Sequence, residues 1–135
     1  MTILAWDERF AVGIAEIDRQ HKGLVRMIND LHEALVAERG QEALADVVTR
    51  MLDYAAHHFT TEESLMSDHG YPFYGEHKKE HDAFTLKARD LKRRIESKGF
   101  VLSLEVLHFL RDWLTSHILV NDRKYAPFLL GAGVR

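Results

Sequence analysis

Apolar side chains recur along this chain with a period close to 3.6 residues, and four separate stretches keep that period. In the first, Leu24, Met27, Ile28, Leu31 and Leu35 form a stripe that begins one turn after His21. It predicts a helix over about 19–38, with Asp18 as N-cap and Gly40 as stop. The second, over about 41–67, aligns Leu44, Val47, Val48, Met51, Leu52, Ala55, His58, Phe59, Glu62, Leu65 and Met66, and is broken by Gly70 and Pro72. The third, over about 73–97, turns His77, His81, Phe84, Ala88, Leu91 and Ile95 inward and a dense set of Lys and Arg outward, and ends at Ser97-Lys98-Gly99. The fourth, over about 101–120, offers Leu104, Leu107, Phe109, Leu110, Trp113, Leu114, His117 and Ile118 to a core. No stretch alternates as a strand would. Residues 1–17 lack a clean helical period and are expected as an extended arm that buries Trp6 and Phe10, and 123–135 as a short tail. The pattern therefore predicts an all-α, up-down-up-down four-helix bundle, one domain over 1–135 with the bundle proper over 18–122.

The stripes are not purely apolar. His58 and Glu62 stand one turn apart on the inward face of the second helix, between Phe59, Leu65 and Met66. An imidazole and a carboxylate turned into an apolar core need partners, because burying a polar group unpaired costs several kcal/mol. A solvated His–Glu pair would explain that stretch alone. Three further stretches repeat the feature: His77-Lys78-Lys79-Glu80-His81, His117-Ile118-Leu119-Val120-Asn121-Asp122, and Asp18-Arg19-Gln20-His21. Five His and two carboxylates on four helical segments are enough to ligate two metal ions. Of the other histidines, His32 is expected at the rim of its stripe, His69 in a solvated loop, and His57 is set aside because only His58 has the four-residue spacing to Glu62.

Composition narrows the chemistry. Nine His in 135 residues is a high count, while Cys is absent, which removes disulfides, iron–sulfur clusters and thiolate zinc sites. The net charge of −3, without a long basic block, argues against nucleic acid as the partner. Thr2 to Phe10 holds Asp7, Glu8 and Arg9 and no apolar signal-peptide region, and no apolar run reaches the roughly 20 residues that span a bilayer. A soluble cytoplasmic protein, or one domain of a longer one, is expected.

Imidazoles and carboxylates without sulfur suit iron, zinc, copper or nickel better than calcium or magnesium. If both carboxylates bridge two ions, three His remain for one ion and two for the other, and the second is a ligand short, which is where a small molecule binds. Leu24, Phe59, Trp113, Leu114 and Ile118 would surround such a site with an apolar pocket, which favours reversible binding of a small gas over hydrolysis. His117 and Asp122 are five apart, about 140° around an ideal helix. Both reach one cluster only if the helix loosens, widens into a π-turn or ends between them. The ferritin-like di-iron pattern needs a Glu-x-x-His pair on each of two helices, and only Glu105-Val106-Leu107-His108 stands out here, so that pair is taken as coincidence. A phosphotransfer bundle with one exposed His does not explain five inward ones.

The Trp6 arm with Asp18-x-Gln20-His21, His58-Phe59-x-x-Glu62-Glu63, His77-x-x-x-His81 and His117-Ile118-x-x-x-Asp122 with Tyr125 together resemble the hemerythrin family, in its bacterial single-domain form. The resemblance runs from Trp6 to Tyr125. It implies a non-haem di-iron centre in which His77, His81 and His117 hold one iron, His21 and His58 the second, and Glu62 and Asp122 bridge both with an oxo or hydroxo group. Leu24, Phe59, Trp113 and Ile118 match the family's pocket. The implied function is reversible O2 binding by a carrier, store or supplier, without enzymatic turnover. The alternatives are an O2 or redox sensor domain, or a di-iron enzyme acting on peroxide, nitric oxide or iron. Expected partners are O2 and small anions at the open iron, and the chain is expected as a monomer.

Overall fold

The computed structural model describes residues 4–37, 41–97 and 104–135, with the side chains of 41–44, 95, 96 and 104–106 excepted. Four long helices, α1 (Ala15–Val36), α2 (Gln41–Asp68), α3 (Tyr74–Glu96) and α4 (Leu104–Ser116), form a four-helix bundle. A π-helical segment, His117–Asp122, continues α4, and a further helix, α5 (Arg123–Gly131), follows it. The expected stops at Gly40 and Lys98-Gly99, the start of the fourth helix at 101, and the side chains of Leu44, Ile95, Leu104 and Glu105 lie outside the described residues.

The stripes bury as their period requires. Leu24, Ile28 and Leu31 of α1, Val48, Met51 and Phe59 of α2, Phe84 and Ala88 of α3, and Leu107, Leu110 and Leu114 of α4 meet in one core. Phe109 was a core candidate and is instead exposed: two residues past Leu107 turn it about 200° around the helix. Its ring lies under the Lys87 ammonium, 5.2 Å from the centroid. A second, smaller core joins Ile14, just before α1, Ile17 of α1 and Met66 of α2 to Tyr125, Ala126 and Leu129 of α5.

Four local expectations need correction. Asp18 is not the N-cap: α1 starts at Ala15, and the Asp18 carboxylate sits in the first turn, where it accepts the N–H groups of Val12 (2.7 Å) and Gly13 (3.3 Å). It thereby ties the arm to the helix it precedes, while its negative charge suits the helix N-terminus. The fourth α-helix ends at Ser116 rather than near 120, because the backbone widens there. Residues 123–131, expected as tail, are helical despite Pro127, which forfeits one backbone hydrogen bond. Full burial of Tyr125 and Leu129 offsets that loss. The arm packs on the bundle but is shorter and less extended than expected: it makes a 3-10 turn at Glu8–Phe10, passes into α1 at Ala15 and leaves Trp6 half-buried, while residues 1–3 lie outside the described residues. Phe10 is buried, its ring 5.6 Å from that of half-buried Trp6. The Asn29 amide accepts from Leu4 N–H and donates to Leu4 C=O.

Candidate metal centre

The two cores leave a polar layer between them. His21 lies one turn from Leu24 on α1, and His58 and Glu62 project from one face of α2. His77 and His81 do the same on α3, and His117 and Asp122 come from the π-helical segment. In a π-turn the backbone bonds run i→i+5, so residues five apart return to nearly the same side. Of the three ways to bring His117 and Asp122 together, the chain uses the widened turn. All seven side chains are buried, the most exposed being His77 at 6%.

Their donor atoms fall into two groups that share Glu62. One joins Glu62, His77, His81 and His117, the other His21, His58, Glu62 and Asp122, and within each group the donors lie within 4.8 Å of one another. Asp122 also spans the groups: Oδ2 is 2.7 Å from His21 Nε2, and Oδ1 is 3.0 Å from His117 Nε2 and 3.3 Å from His77 Nε2.

These close approaches are mostly not hydrogen bonds. Nε2 of His21, His58, His81 and His117, Oε1 of Glu62 and both oxygens of Asp122 are buried and have no aligned partner among the described residues. Only His77 Nε2 makes a directed contact, 2.9 Å to Glu62 Oε2. Buried polar groups are normally satisfied. Lone pairs that converge on shared points rather than on each other fit one or two cations, and imidazole with carboxylate is a donor set for a transition metal.

The far side of two rings is fixed. His58 Nδ1 is 2.8 Å from Gln20 Oε1, so its N–H donates outward and Nε2 keeps its lone pair toward the layer. Gln20 is itself held, its amide donating to Glu16 (2.8 Å) and to Thr61 (3.1 Å). His81 Nδ1 donates to Glu63 Oε2 at 3.0 Å. Aromatic faces set the remaining tilt: Phe59 stacks on His81 at 4.0 Å and Trp113 on His117 at 4.8 Å. The orienting roles of Gln20 and Glu63 were not drawn from the sequence. Each partner is 38 or 18 residues away, and only their position beside His21 and Glu62 in the motifs marked them.

In the metal-free layer the protons distribute unevenly. Burial alone would push His21, His77 and His117 down, but the Asp122 and Glu62 carboxylates outweigh it and raise them to about 9, about 9 and about 10. Burial wins at His58 and lowers it. Burial and the neighbouring Glu62 charge work against ionisation of Asp122, but His117 and His21 hold it down at about 2. Glu62 is lowered well below the ordinary carboxylate range: burial opposes this, and the charges of His58 and His117 outweigh it. A cation entering the layer must displace the imidazole protons.

Beside the layer lies a cavity of about 20 Å³, lined by Leu24, Ile28, Met51, Ala55, Phe59, Phe84, Leu110, Trp113 and Leu114. Four of the five expected pocket residues are on its wall. Ile118 is buried in the same core but is not among the lining residues. His57, His69 and His108 are exposed and His32 is half-buried, and none joins either donor group.

The sequence matches the family model of the hemerythrin HHE cation binding domain over residues 12–129. A bacteriohemerythrin of Pseudomonas aeruginosa (strain LESB58) is 39% identical over 127 residues, which are 93% of this chain and 80% of that protein. A bacteriohemerythrin of Stenotrophomonas maltophilia (strain R551-3) is 35% identical over 126 residues, 93% of this chain and 81% of that protein. The crystal structure of a wild-type hemerythrin superposes with a TM-score of 0.89 at 29% identity, covering 95% of this chain and 98% of the other. With the family model spanning nearly the whole bundle and relatives of this likeness along it, the chain belongs to the hemerythrin family.

Proposed function

We propose that the chain binds O2 reversibly at a pair of iron ions, and works as an oxygen carrier, store or supplier rather than as an enzyme. His77, His81 and His117 would hold one iron, His21 and His58 the other, and Glu62 and Asp122 would bridge them with an oxo or hydroxo group. The observation that carries this reading is a pair of buried donor groups, three imidazoles in one and two in the other, with a small apolar cavity behind Phe59 and Trp113, the rings stacked on His81 and His117. When bound, the iron pair supplies electrons that pass reversibly to O2, at the ion with fewer protein ligands.

The residues around the pair do the rest. A water needs two to four polar partners to settle in a cavity, and the wall from Leu24 to Leu114 offers almost none. About 20 Å³ is near the minimum for one water, so the space suits a diatomic gas and keeps solvent from it. Gln20 and Glu63 hold His58 and His81 in the tautomer that points Nε2 inward. Ile118 closes the core behind the π-turn, and small anions are the expected competitors of O2.

The test is to load the purified chain with Fe(II) without air, measure iron, and then admit air while recording the visible spectrum. About two irons per chain are expected, with a charge-transfer band that appears with O2, fades when O2 is removed and returns on re-exposure. A single irreversible oxidation overturns reversible binding, and steady turnover of peroxide or nitric oxide by the loaded chain overturns the non-enzymatic reading. The reading extends to a monomer in the cytoplasm, tested by sedimentation and cell fractionation. Among the described residues, no helix is long and apolar enough to cross a membrane.

A further inference from the structure

A larger cavity lies on the other face of the same wall. Between α2 and α3 a groove of about 240 Å³ runs past Leu52, Ala55 and Phe59 on one side and Phe84, Ala88 and Arg89 on the other. Ala55, Phe59 and Phe84 line both this groove and the inner cavity. The floor is therefore apolar and aromatic, while the rim is charged. Arg89 and Lys92 stand on the α3 rim, three residues apart on one face, and Asp53 on the α2 rim opposite.

The rim cations differ from most of the cations on their helix, Lys79 excepted. On the same helix Lys78 pairs with Asp82 at 3.1 Å, Arg93 and Arg94 pair with Asp90, and Lys87 covers Phe109. Arg89 and Lys92 have no ion-pair partner among the described residues, and neither does Asp53. Two free cations over an aromatic floor suit a molecule with an anionic head and an apolar body. Asp53 would repel that head toward α3 and would disfavour a dianion.

We propose that the α2–α3 groove is a binding site for a small amphiphilic monoanion, an aryl or short-chain carboxylate, with its head between Arg89 and Lys92 and its apolar body against Phe59 and Phe84. The inference does not depend on the oxygen-binding reading, since it uses none of the seven buried donors. Its consequence does reach them: Phe59 stacks on His81, so an occupant of the groove presses on a ring that backs the polar layer. Any change in affinity that one ligand causes at the other site is reciprocal, by the same factor.

The test is calorimetric titration of the iron-loaded chain with 4-phenylbutyrate and with 4-phenylbutylamine, which share the apolar body and differ in the sign of the head. The acid should bind at one site, and the amine at least about tenfold more weakly, a difference of about 1.4 kcal/mol. Arg89→Glu with Lys92→Glu should weaken the acid by about tenfold or more. Ala56→Trp, which fills the groove from an exposed position without changing charge, should do the same. No binding of the acid, equal binding of the amine, or an affinity untouched by either the charge reversal or Ala56→Trp would each overturn the proposal.

Discussion

The two sides of the buried polar layer are built from different chemistry. Toward Leu24 and Leu114 the layer meets a cavity whose walls are hydrocarbon and aromatic ring, with the Trp113 indole as the one polar side chain. Toward α5 it meets the buried Tyr125 phenol, whose hydroxyl has no hydrogen-bond partner among the described residues. A crevice of about 40 Å³ lined by Glu76, His77, Glu80, Asn121 and Lys124 also opens there. One side keeps ions and water out, while the other brings charged groups to the edge of His77. Burial is nearly complete on both, so depth alone does not distinguish them. What differs is whether a proton or an anion finds a partner on the way in.

The change expected to do most damage is His81→Ala, because it removes a donor together with the stacking partner of Phe59. Metal content and helix stability should fall together, since metal binding and folding are coupled. A His81→Ala chain that retains both irons and its melting temperature would show the assignment wrong, and with it the idea of a layer distinct from either side.

Proton-linked stability probes the layer itself. In the metal-free chain His21, His77 and His117 have folded values raised to about 9, about 9 and about 10, above the unfolded value near 6.5. Their contribution is therefore fully present below about 6.5 and is lost as pH rises through that higher range. Asp122 is depressed to about 2, so its contribution is present above its ordinary value and is lost as pH falls toward that figure. Urea midpoints of the chelator-treated chain should drop between about pH 7 and pH 10.5, and a flat or rising profile there contradicts the charge distribution.

The dry side is tested by Leu114→Ala. Truncating this buried leucine should cost about 2–5 kcal/mol and, by opening a path for water or anions, should speed autoxidation of the oxygenated form with the iron count unchanged. Lost stability at an unchanged autoxidation rate would make Leu114 ordinary core. Glu63→Gln leaves both sides intact and loosens the hold on His81, together with a long exposed contact to Lys78 (3.9 Å), and should lower metal affinity by about 10–100-fold. Unchanged affinity in competition with a chelator would remove Glu63 from that role. At the small end, replacing His32, His69 and His108 with Gln should leave iron content as it was, and loss of an iron would show that one of them is a ligand.

Much of this architecture is legible because it is local. Stripes at three and four residues carry α1 to α4, and the pairs at i and i+4 in α2 and α3 place His58, Glu62, His77 and His81 on inward faces without reference to any other helix. What was missed depends on contacts between distant segments. Asp18 looks like a cap by position, yet its oxygens go back to Val12 and Gly13. Gln20 and Glu63 are ordinary polar residues until another helix brings an imidazole to them. Residues 123–135 carry no long stripe and read as a tail, and the burial of Tyr125 and Leu129 with Ile17 and Met66 is a contact between distant segments.

The π-turn also sets the phase of everything after it. It acts as a single extra residue within an otherwise regular rod, so each side chain downstream is displaced by about 100° from where an unbroken α-helix would put it. Tyr125 and Leu129 face inward in that displaced register. Deleting the exposed Val120 would leave His117 and the carboxylate four apart, the spacing His58 and Glu62 already use. Because the turn absorbs one residue, the same deletion would leave the phenol and Leu129 facing inward in the frame they have now. Straightening the turn with all its residues kept would instead carry the carboxylate about 100° away from His117 and rotate α5 with it, swinging the phenol and Leu129 toward solvent: the frame of the last helix is counted from the bulge.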